Sequence, residues 1–332
     1  MLGRAHRRDR ESLPSSVAEG RLSLHSQVGQ TGAADRQLRS VMRTTNPELL
    51  HPDYRGVHLS KADAPDCLAL STEAGWNQLG SDWLFMLGEG LGFGFETKGS
   101  GLVASAILMP YGNRFAWISM VLVSATARRQ GLATLLLRHA LEVGRQRQEQ
   151  LLLDATDDGR KVYLQLGFRD LRAITRWVCG PRVAWDAPLP PEITRLATTD
   201  AWADWDEVRF GASRSKLLRD LHAAGSAHSW QSGFANATHA GFCLARPGRV
   251  ATQLGPLVAT DETVAAALLS AALSRAAGAF VVDVVDGRQT IEALLRQRGF
   301  VPSRRFTRMI QGSGPEPGRP AEIFAIAGPE FG

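Results

Sequence analysis

Cysteine is scarce in this sequence. Cys67, Cys179 and Cys243 are the whole complement in 332 residues, far apart, odd in number and without Cys-x-x-Cys spacing or a neighbouring His pair. A disulfide framework and a structural zinc site are thereby excluded; no metal is expected, and the thiols are read as inert and buried. Long apolar runs are absent too. No stretch approaches the roughly 20 residues that a membrane span needs, and the Arg-rich start has no apolar segment behind it, so neither a span nor an export signal is expected and the location is read as cytoplasmic. The signatures Gly-Lys-Ser/Thr, His-Glu-x-x-His and Gly-x-Ser-x-Gly do not occur. Gly88-Glu89-Gly90-Leu91-Gly92-Phe93-Gly94 imitates a dinucleotide fingerprint, but Phe93 and Phe95 stand where the third Gly belongs, and a helix-to-strand loop is expected instead. Excess charge is also missing from most of the chain: of the net +5, residues 1–41 carry the larger part, with seven Arg against four acids. That short basic stretch has no interleaved aromatics, so no nucleic-acid partner is expected.

The length suits two domains rather than one core. Residues 1–45 are polar and lack periodicity, which predicts a disordered leader, and Met42 is a possible alternative start. Order is expected from Gly56-Val57-His58-Leu59, a first strand, followed by a helix through Leu68 and Leu70 and a second between Ala74 and Leu87. Leu102–Met109 and Phe115–Val123 read as a hairpin across Pro110-Tyr111-Gly112-Asn113. From Gly131 to about Arg147 the spacing of Leu132, Leu135, Leu136, Ala140 and Val143 predicts an amphipathic helix packed on a sheet. Leu151–Asp154 is a buried strand, Arg160–Leu166 a short helix closed by Gly167, and Leu171–Cys179 a returning strand. A linker with Pro181, Pro188, Pro190 and Pro191 follows, then a second series of strand, helix, strand ending in Asp283, and helix before Gly299-Phe300.

The most informative stretch is Met120–Ala140. A strand that stops at Val123 and a helix that starts after Gly131 leave consecutive backbone amides facing outward at the positive end of a helix, a cradle suited to a diphosphate. Arg128 and Arg129 add charge, and Gly131 and Ala133 keep the backbone accessible. In this light Arg128-Arg129-Gln130-Gly131-Leu132-Ala133 resembles the coenzyme A signature of the GCN5-related N-acetyltransferase (GNAT) family, and the likeness extends from about Tyr54 to Trp185. The resemblance implies an α/β (α+β) fold of two such lobes, each a mixed, mostly antiparallel sheet flanked by helices. Residues 54–187 would form the catalytic lobe, 192–313 a degenerate one, and 314–332 a tail. In the second lobe Thr260-Asp261-Glu262-Thr263 replaces the cradle with two acids and no Gly, which would repel a diphosphate.

The resemblance further implies acetyl-CoA as co-substrate and direct transfer of its acetyl group to an amine on a small molecule or peptide. The cradle would comprise Arg128, Arg129, Gln130, Gly131, Leu132, Ala133 and Thr134, with Val121 and Val123 bonding the pantetheine arm as an added strand would. Tyr163, five residues before Phe168, matches the family's general acid; the alternative is a packed Tyr whose hydroxyl bonds to backbone. An amine with a pKa of ~10.4 needs about 4.6 kcal/mol to become neutral at pH 7, so a base or water chain is required. Asp154 is the nearest carboxylate by sequence, with Glu73 and Asp82 as others, although capping of the Asp157-Asp158-Gly159 loop explains Asp154 equally well. Acceptor contacts are expected from Trp76, Asn77, Asp82, Trp83 and Tyr111, while Trp76 and Trp83 read equally well as core. The rival function is a non-catalytic acyl-CoA sensor or interaction module.

Overall fold

The computed structural model describes residues 43, 45–97, 101–112, 114–182, 189–225, 228–233, 239–274 and 277–332. Most of the expected leader, Met42, Asn113 of the hairpin turn, and residues 183–188 of the Pro-rich linker lie outside the described residues. In the first half the strands are β1 (Thr45–Leu50), β2 (Tyr54–Leu59), β3 (Leu91–Thr97), β4 (Leu102–Tyr111), β5 (Phe115–Val123), β6 (Gln150–Thr156) and β7 (Phe168–Arg182). The helices among them are α1 (Ala64–Glu73), α2 (Gly80–Glu89), α3 (Leu132–Gln146) and α4 (Asp157–Gln165). The second half has β8 (Ile193–Arg195), α5 (Ala203–Phe210), α6 (Ser215–Gly225), β9 (Trp230–Gly233), β10 (His239–Arg246) and β11 (Thr252–Ala259). It continues through α7 (Glu262–Leu273), β12 (Gly278–Val285), α8 (Gln289–Gln297), β13 (Val301–Gln311) and β14 (Ile323–Ala325).

Period-two alternation sorts the strands between two packed faces. On β4, Ala104, Ala106 and Leu108 join the core beneath α3, where Leu132, Leu136 and Ala140 are buried, whereas Ile107 and Met109 point into the opposite core with Cys67, Leu70 and Trp83 of α1 and α2. Leu135 and Val143, expected on the buried face of α3, are only partly covered. Arg43, inside the expected leader, is buried and held by Asp63 at 2.7 Å and Glu96 at 2.8 Å, so order starts earlier than the sequence pattern suggests. The glycine-rich decoy is not a loop: Gly88 and Glu89 close α2, Gly90 alone connects, and β3 begins at Leu91. Gly92 and Gly94 permit close strand packing there: a Cβ would come within 2.8 Å of Leu59 at the first and within 2.8 Å of the Ala104 carbonyl at the second.

Two separate sheets were the expectation, and the structure instead has one mixed, mostly antiparallel sheet of 14 strands in the order β1-β2-β3-β4-β5-β6-β13-β7-β12-β14-β11-β10-β9-β8. The two halves exchange strands. β13 inserts between β6 and β7, bonding Met309 opposite Leu153 and Phe306 opposite Ile174, and β7 in turn pairs with β12. A large core spans both halves, bringing Trp117 and Met120 together with Trp202, Phe242 and Phe331.

Parallel pairing occurs twice among the described residues, and each time it is short. β5 and β6 pair only over Phe115–Trp117 with Gln150–Leu152, after which they diverge. β11 and β12 pair over Thr252–Leu254 with Phe280–Val282 and then also diverge. The second gap is filled by the chain itself: β14 enters it with Ile323 opposite Val258 and Ala325 opposite both Leu257 and Val284. Residues 314–332, expected as a tail, are therefore an integral part of the fold.

Candidate active site

The first divergence, between β5 and β6, is where the site forms. A β-bulge lies at its edge: Ile107 pairs with Ser119 and Ser105 with Leu122, so Met120 and Val121 of β5 stand opposite Ala106 alone on β4. Met120 takes φ +52°, left-handed for a residue with a Cβ, and its carbonyl is pinned by the Ser105 hydroxyl at 3.0 Å. Beyond the bulge Val121–Val123 bonds to β4 on one side only.

The turn after β5 opens onto the cradle. Gly131 is the N-cap of α3 with φ +82°, and it offers no side chain to cap the first turn, which leaves the amides of Leu132, Ala133 and Thr134 open. A Cβ on Gly131 would meet none of the described atoms within 4 Å. That space belongs to a cavity of about 850 Å³ lined by Val121, Val123, Arg128, Arg129, Gly131, Leu132, Ala133 and Thr134. Of the expected cradle residues only Gln130 does not line it; its carbonyl faces His51 Nε2 at 3.2 Å. Arg128 Nε donates to the Val123 carbonyl at 3.3 Å, which holds that side chain over the end of β5. Arg304 and Arg305, from the inserted strand β13, line the same cavity, a contribution from the second half that the sequence pattern did not reveal.

A second cavity, of about 270 Å³, continues through the sheet between β5 and β6. It shares Trp76, Val121, Ala133, Thr156 and Arg304 with the first. Tyr163 lines it, half-buried, edge-on to Phe168 with 5.9 Å between ring centres. Among the described residues its hydroxyl has no hydrogen-bond partner, so the backbone-satisfied alternative does not apply. Burial pushes the phenol up to about 12, which keeps it protonated at neutral pH.

Asp154 also lines this cavity, but both of its oxygens are engaged by Arg308, at 3.0 and 2.9 Å. Its carboxyl is raised by burial and opposed by that guanidinium. It caps nothing in the loop; Thr156 does, accepting from the Gly159 amide at 3.3 Å. A carboxylate fully committed to a buried guanidinium is a structural partner rather than a free base. Glu73 is exposed and accepts from the Ala125 amide at 2.6 Å, and it lines neither cavity.

Of the five expected acceptor contacts, Trp76 alone lines the cavity. Asn77 ties the halves together, accepting from the amides of Val250 and Ala251 and donating to the Ala251 carbonyl. Asp82 accepts from the Leu79 amide at 2.7 Å and pairs with Arg246 at 2.9 Å. Trp83 is fully buried with its indole N–H donated to Ser71. Tyr111 packs on Phe115 and Phe210, its hydroxyl donating to the Phe331 carbonyl at 2.7 Å. The cavity instead recruits Gln78, Ser119, Arg176, Arg304, Phe306 and Glu330. No local signal marks them, because three of the six come from strands or turns of the second half.

The second half lacks both devices. Asp261 caps α7 with its own carboxylate, accepting from the amides of Thr263 and Val264 at 2.9 and 3.0 Å, so the amides that would cradle a phosphate are already satisfied. The strand gap that would take an extended ligand holds β14. Among the described residues no group of His, Cys, Asp and Glu could hold a metal, and no helix is long and apolar enough to cross a membrane.

Comparison with known proteins agrees with this geometry. Residues 50–168 match the acetyltransferase (GNAT) family model, and residues 203–325 match a second model described as an acetyltransferase (GNAT) domain. Over 247 residues the chain is 23% identical to the uncharacterized N-acetyltransferase YitH of Bacillus subtilis (strain 168), covering 74% of this chain and 86% of that one. A putative acetyltransferase from Pyrococcus horikoshii matches with a TM-score of 0.70 at 20% identity, over 87% of this chain and 99% of its own. A tandem GNAT protein from the clavulanic acid biosynthesis pathway, solved without AcCoA, matches with a TM-score of 0.52 at 17% identity, over 79% and 99%. At these identities the two solved structures show a shared fold.

Proposed function

The chain belongs to the GNAT acetyltransferases as an acyltransferase built of two such domains, and from that premise we propose that its first half transfers an acetyl group from acetyl-CoA directly to an amine. The five residues shared by the cradle cavity and the cavity beneath Tyr163 are the observation that carries this reading: a diphosphate at α3 and an acyl group at Tyr163 would lie along one channel through the sheet. Acetyl-CoA, when bound, supplies the activated thioester. The open amides of Leu132–Thr134, with Arg128 and Arg129, suit its diphosphate, and the free edge at Val121–Val123 suits its extended arm. β14 supports that last assignment, since in the other half an extended segment fills the equivalent gap. Tyr163, neutral and without a hydrogen-bond partner among the described residues, would give its proton to the departing sulfur.

A cavity of about 270 Å³ suits a small amine or a single peptide side chain. The free thiols at Cys67, Cys179 and Cys243 suit a reducing, cytoplasmic compartment. The test is Tyr163→Phe. Because no hydrogen bond is lost, stability should hold and coenzyme A affinity should remain within about twofold, while kcat falls by about 100-fold or more, the lower end of what a general acid contributes. Unchanged turnover would refute the role, and coenzyme binding without turnover in the wild type would favour a sensor.

A further inference from the structure

Glu330 belongs to neither the cradle nor the strands that build it. After β14 the chain crosses to the first half, where Trp117 Nε1 donates to the Pro329 carbonyl at 3.0 Å and the Tyr111 hydroxyl to the Phe331 carbonyl at 2.7 Å. Those two bonds hold the intervening Glu330 against the cavity under Tyr163, where its side chain is 2% exposed.

Its ion pair is a shared one. Glu330 bonds to Arg246 Nη2, but Nη1 of the same guanidinium is donated to Asp82 at 2.9 Å, so one cation serves two buried carboxylates. The next cation, Arg176, also lines the cavity and is already held by Asp283 through bonds of 2.7 and 2.8 Å. Glu330 and Asp82 therefore share one guanidinium, and among the described residues Arg304, on the far wall of the cavity, makes no ion pair with either. Two further polar atoms await a donor: Gln78 Oε1 and Ser119 Oγ are buried, line the same cavity, and have no partner among the described residues. A buried polar atom without a partner costs about 1–3 kcal/mol, so these two, beside a carboxylate that shares its cation, indicate a ligand that brings N–H groups and positive charge.

We propose that Glu330 receives the acceptor as a primary ammonium and takes its proton, which makes the acceptor a small cationic amine and Glu330 the general base. This rests on the acetyl-transfer reading above. An N–H bond of the ammonium breaks and an O–H bond forms on Glu330. The freed lone pair makes the C–N bond to the acetyl carbon, and the C–S bond breaks as sulfur takes the Tyr163 proton. The surplus proton on nitrogen restores the phenol, and Glu330 releases its own proton to water. Gln78 Oε1 and Ser119 Oγ accept the remaining N–H groups. Burial raises the Glu330 carboxyl, with Asp82 of α2 reinforcing it and Arg246 of β10 and Arg176 of β7 opposing it. Across the cavity lie Tyr163, Arg304 and the Asp154–Arg308 pair. A carboxylate whose pKa is raised by burial holds an abstracted proton more strongly than a solvated one.

Calorimetry with phenethylamine and its neutral analogue 2-phenylethanol tests this on the protein saturated with coenzyme A. Wild type should bind the amine at least about tenfold more tightly than the alcohol, as charge-assisted bonds require. Glu330→Gln keeps an acceptor for Arg246 and should bind both probes alike, with coenzyme A affinity and Tm near wild type. Its acetylation of phenethylamine should be slower by about 100-fold or more and should lose the acid limb of the kcat/KM profile, which Glu330→Asp restores in part. An unchanged amine preference in the Gln variant with coenzyme binding intact would overturn the proposal, as would the absence of any preference in wild type. Failure of wild type to bind coenzyme A would overturn the acetyl-transfer reading instead, and the same titration without coenzyme would still decide the amine site.

Discussion

Replacing Gly131 separates the two demands placed on it, backbone conformation and access to the amides. At φ +82° a side chain is strained, and Gly131→Ala should lose roughly 1–2 kcal/mol of stability, the usual cost of left-handed backbone. For a chain of this size that is a fall in Tm of about 2–8 °C, at about 2–4 °C per kcal/mol. Nothing more is expected from packing, because a Cβ there meets none of the described atoms within 4 Å. The methyl instead occupies cavity space beside the open amides. Loss of one amide bond to a charged phosphate costs about 1.5–3 kcal/mol, roughly 10- to 150-fold in Kd. Gly131→Glu adds repulsion of roughly 0.8–3.3 kcal/mol for each phosphate charge at about 5 Å, between aqueous and near-surface dielectric limits. Calorimetric titration with coenzyme A and a thermal melt on the same samples give both quantities. If the Glu variant melts as expected and yet binds coenzyme A within twofold of wild type, the amide cradle is not the coenzyme site.

Arg308→Ala strands Asp154, whose side chain is wholly buried, and should cost about 3–5 kcal/mol by chemical denaturation; the double variant Arg308→Met, Asp154→Asn should recover most of it, and a stable Arg308→Ala protein would contradict the pairing. Asp261→Ala removes two amide bonds at the start of α7 and should cost about 1 kcal/mol without creating a second coenzyme site, because β14 still fills the gap; a calorimetric stoichiometry of two would overturn that account.

How much was legible depended on how local each device is. The cradle was readable because strand, turn and helix are contiguous: the end of β5, the positive φ of Gly131 and the open first turn of α3 all follow from residues within one short segment. The position of Tyr163 was readable for the same reason, since it stands in α4 four residues before Gly167. The failed cradle in the second half was also legible, though for an incomplete reason: Asp261 does not merely repel an anion, it satisfies the amides an anion would need.

The acceptor side was misread where a mixed segment had to be assigned to a face. Trp83 and Asn77 stand close together in sequence, yet one is sealed in the core against Ser71 and the other clasps the loop at Val250 and Ala251. Neither spacing nor residue type distinguishes such fates, because the deciding partner lies elsewhere in the chain. Asp154 shows the same limit: as a lone carboxylate at a strand end it resembled a base until β13 brought Arg308 across from it.

By itself, then, the sequence determined the alternation of strands and helices, the glycine-capped start of α3 just after β5 and the place of Tyr163 on the next short helix, since each depends on backbone geometry within a single turn or helix. Tertiary structure alone decided that the two halves share one sheet, that β14 fills the gap between β11 and β12, and that Asp154, though it lines the cavity, is held on both oxygens by Arg308. The physical reason is that strand pairing and charge neutralisation act through space: whether a carboxylate is a free base or a spent ion-pair partner depends on which guanidinium the fold brings beside it, and that partner is set by contacts between residues remote in the chain.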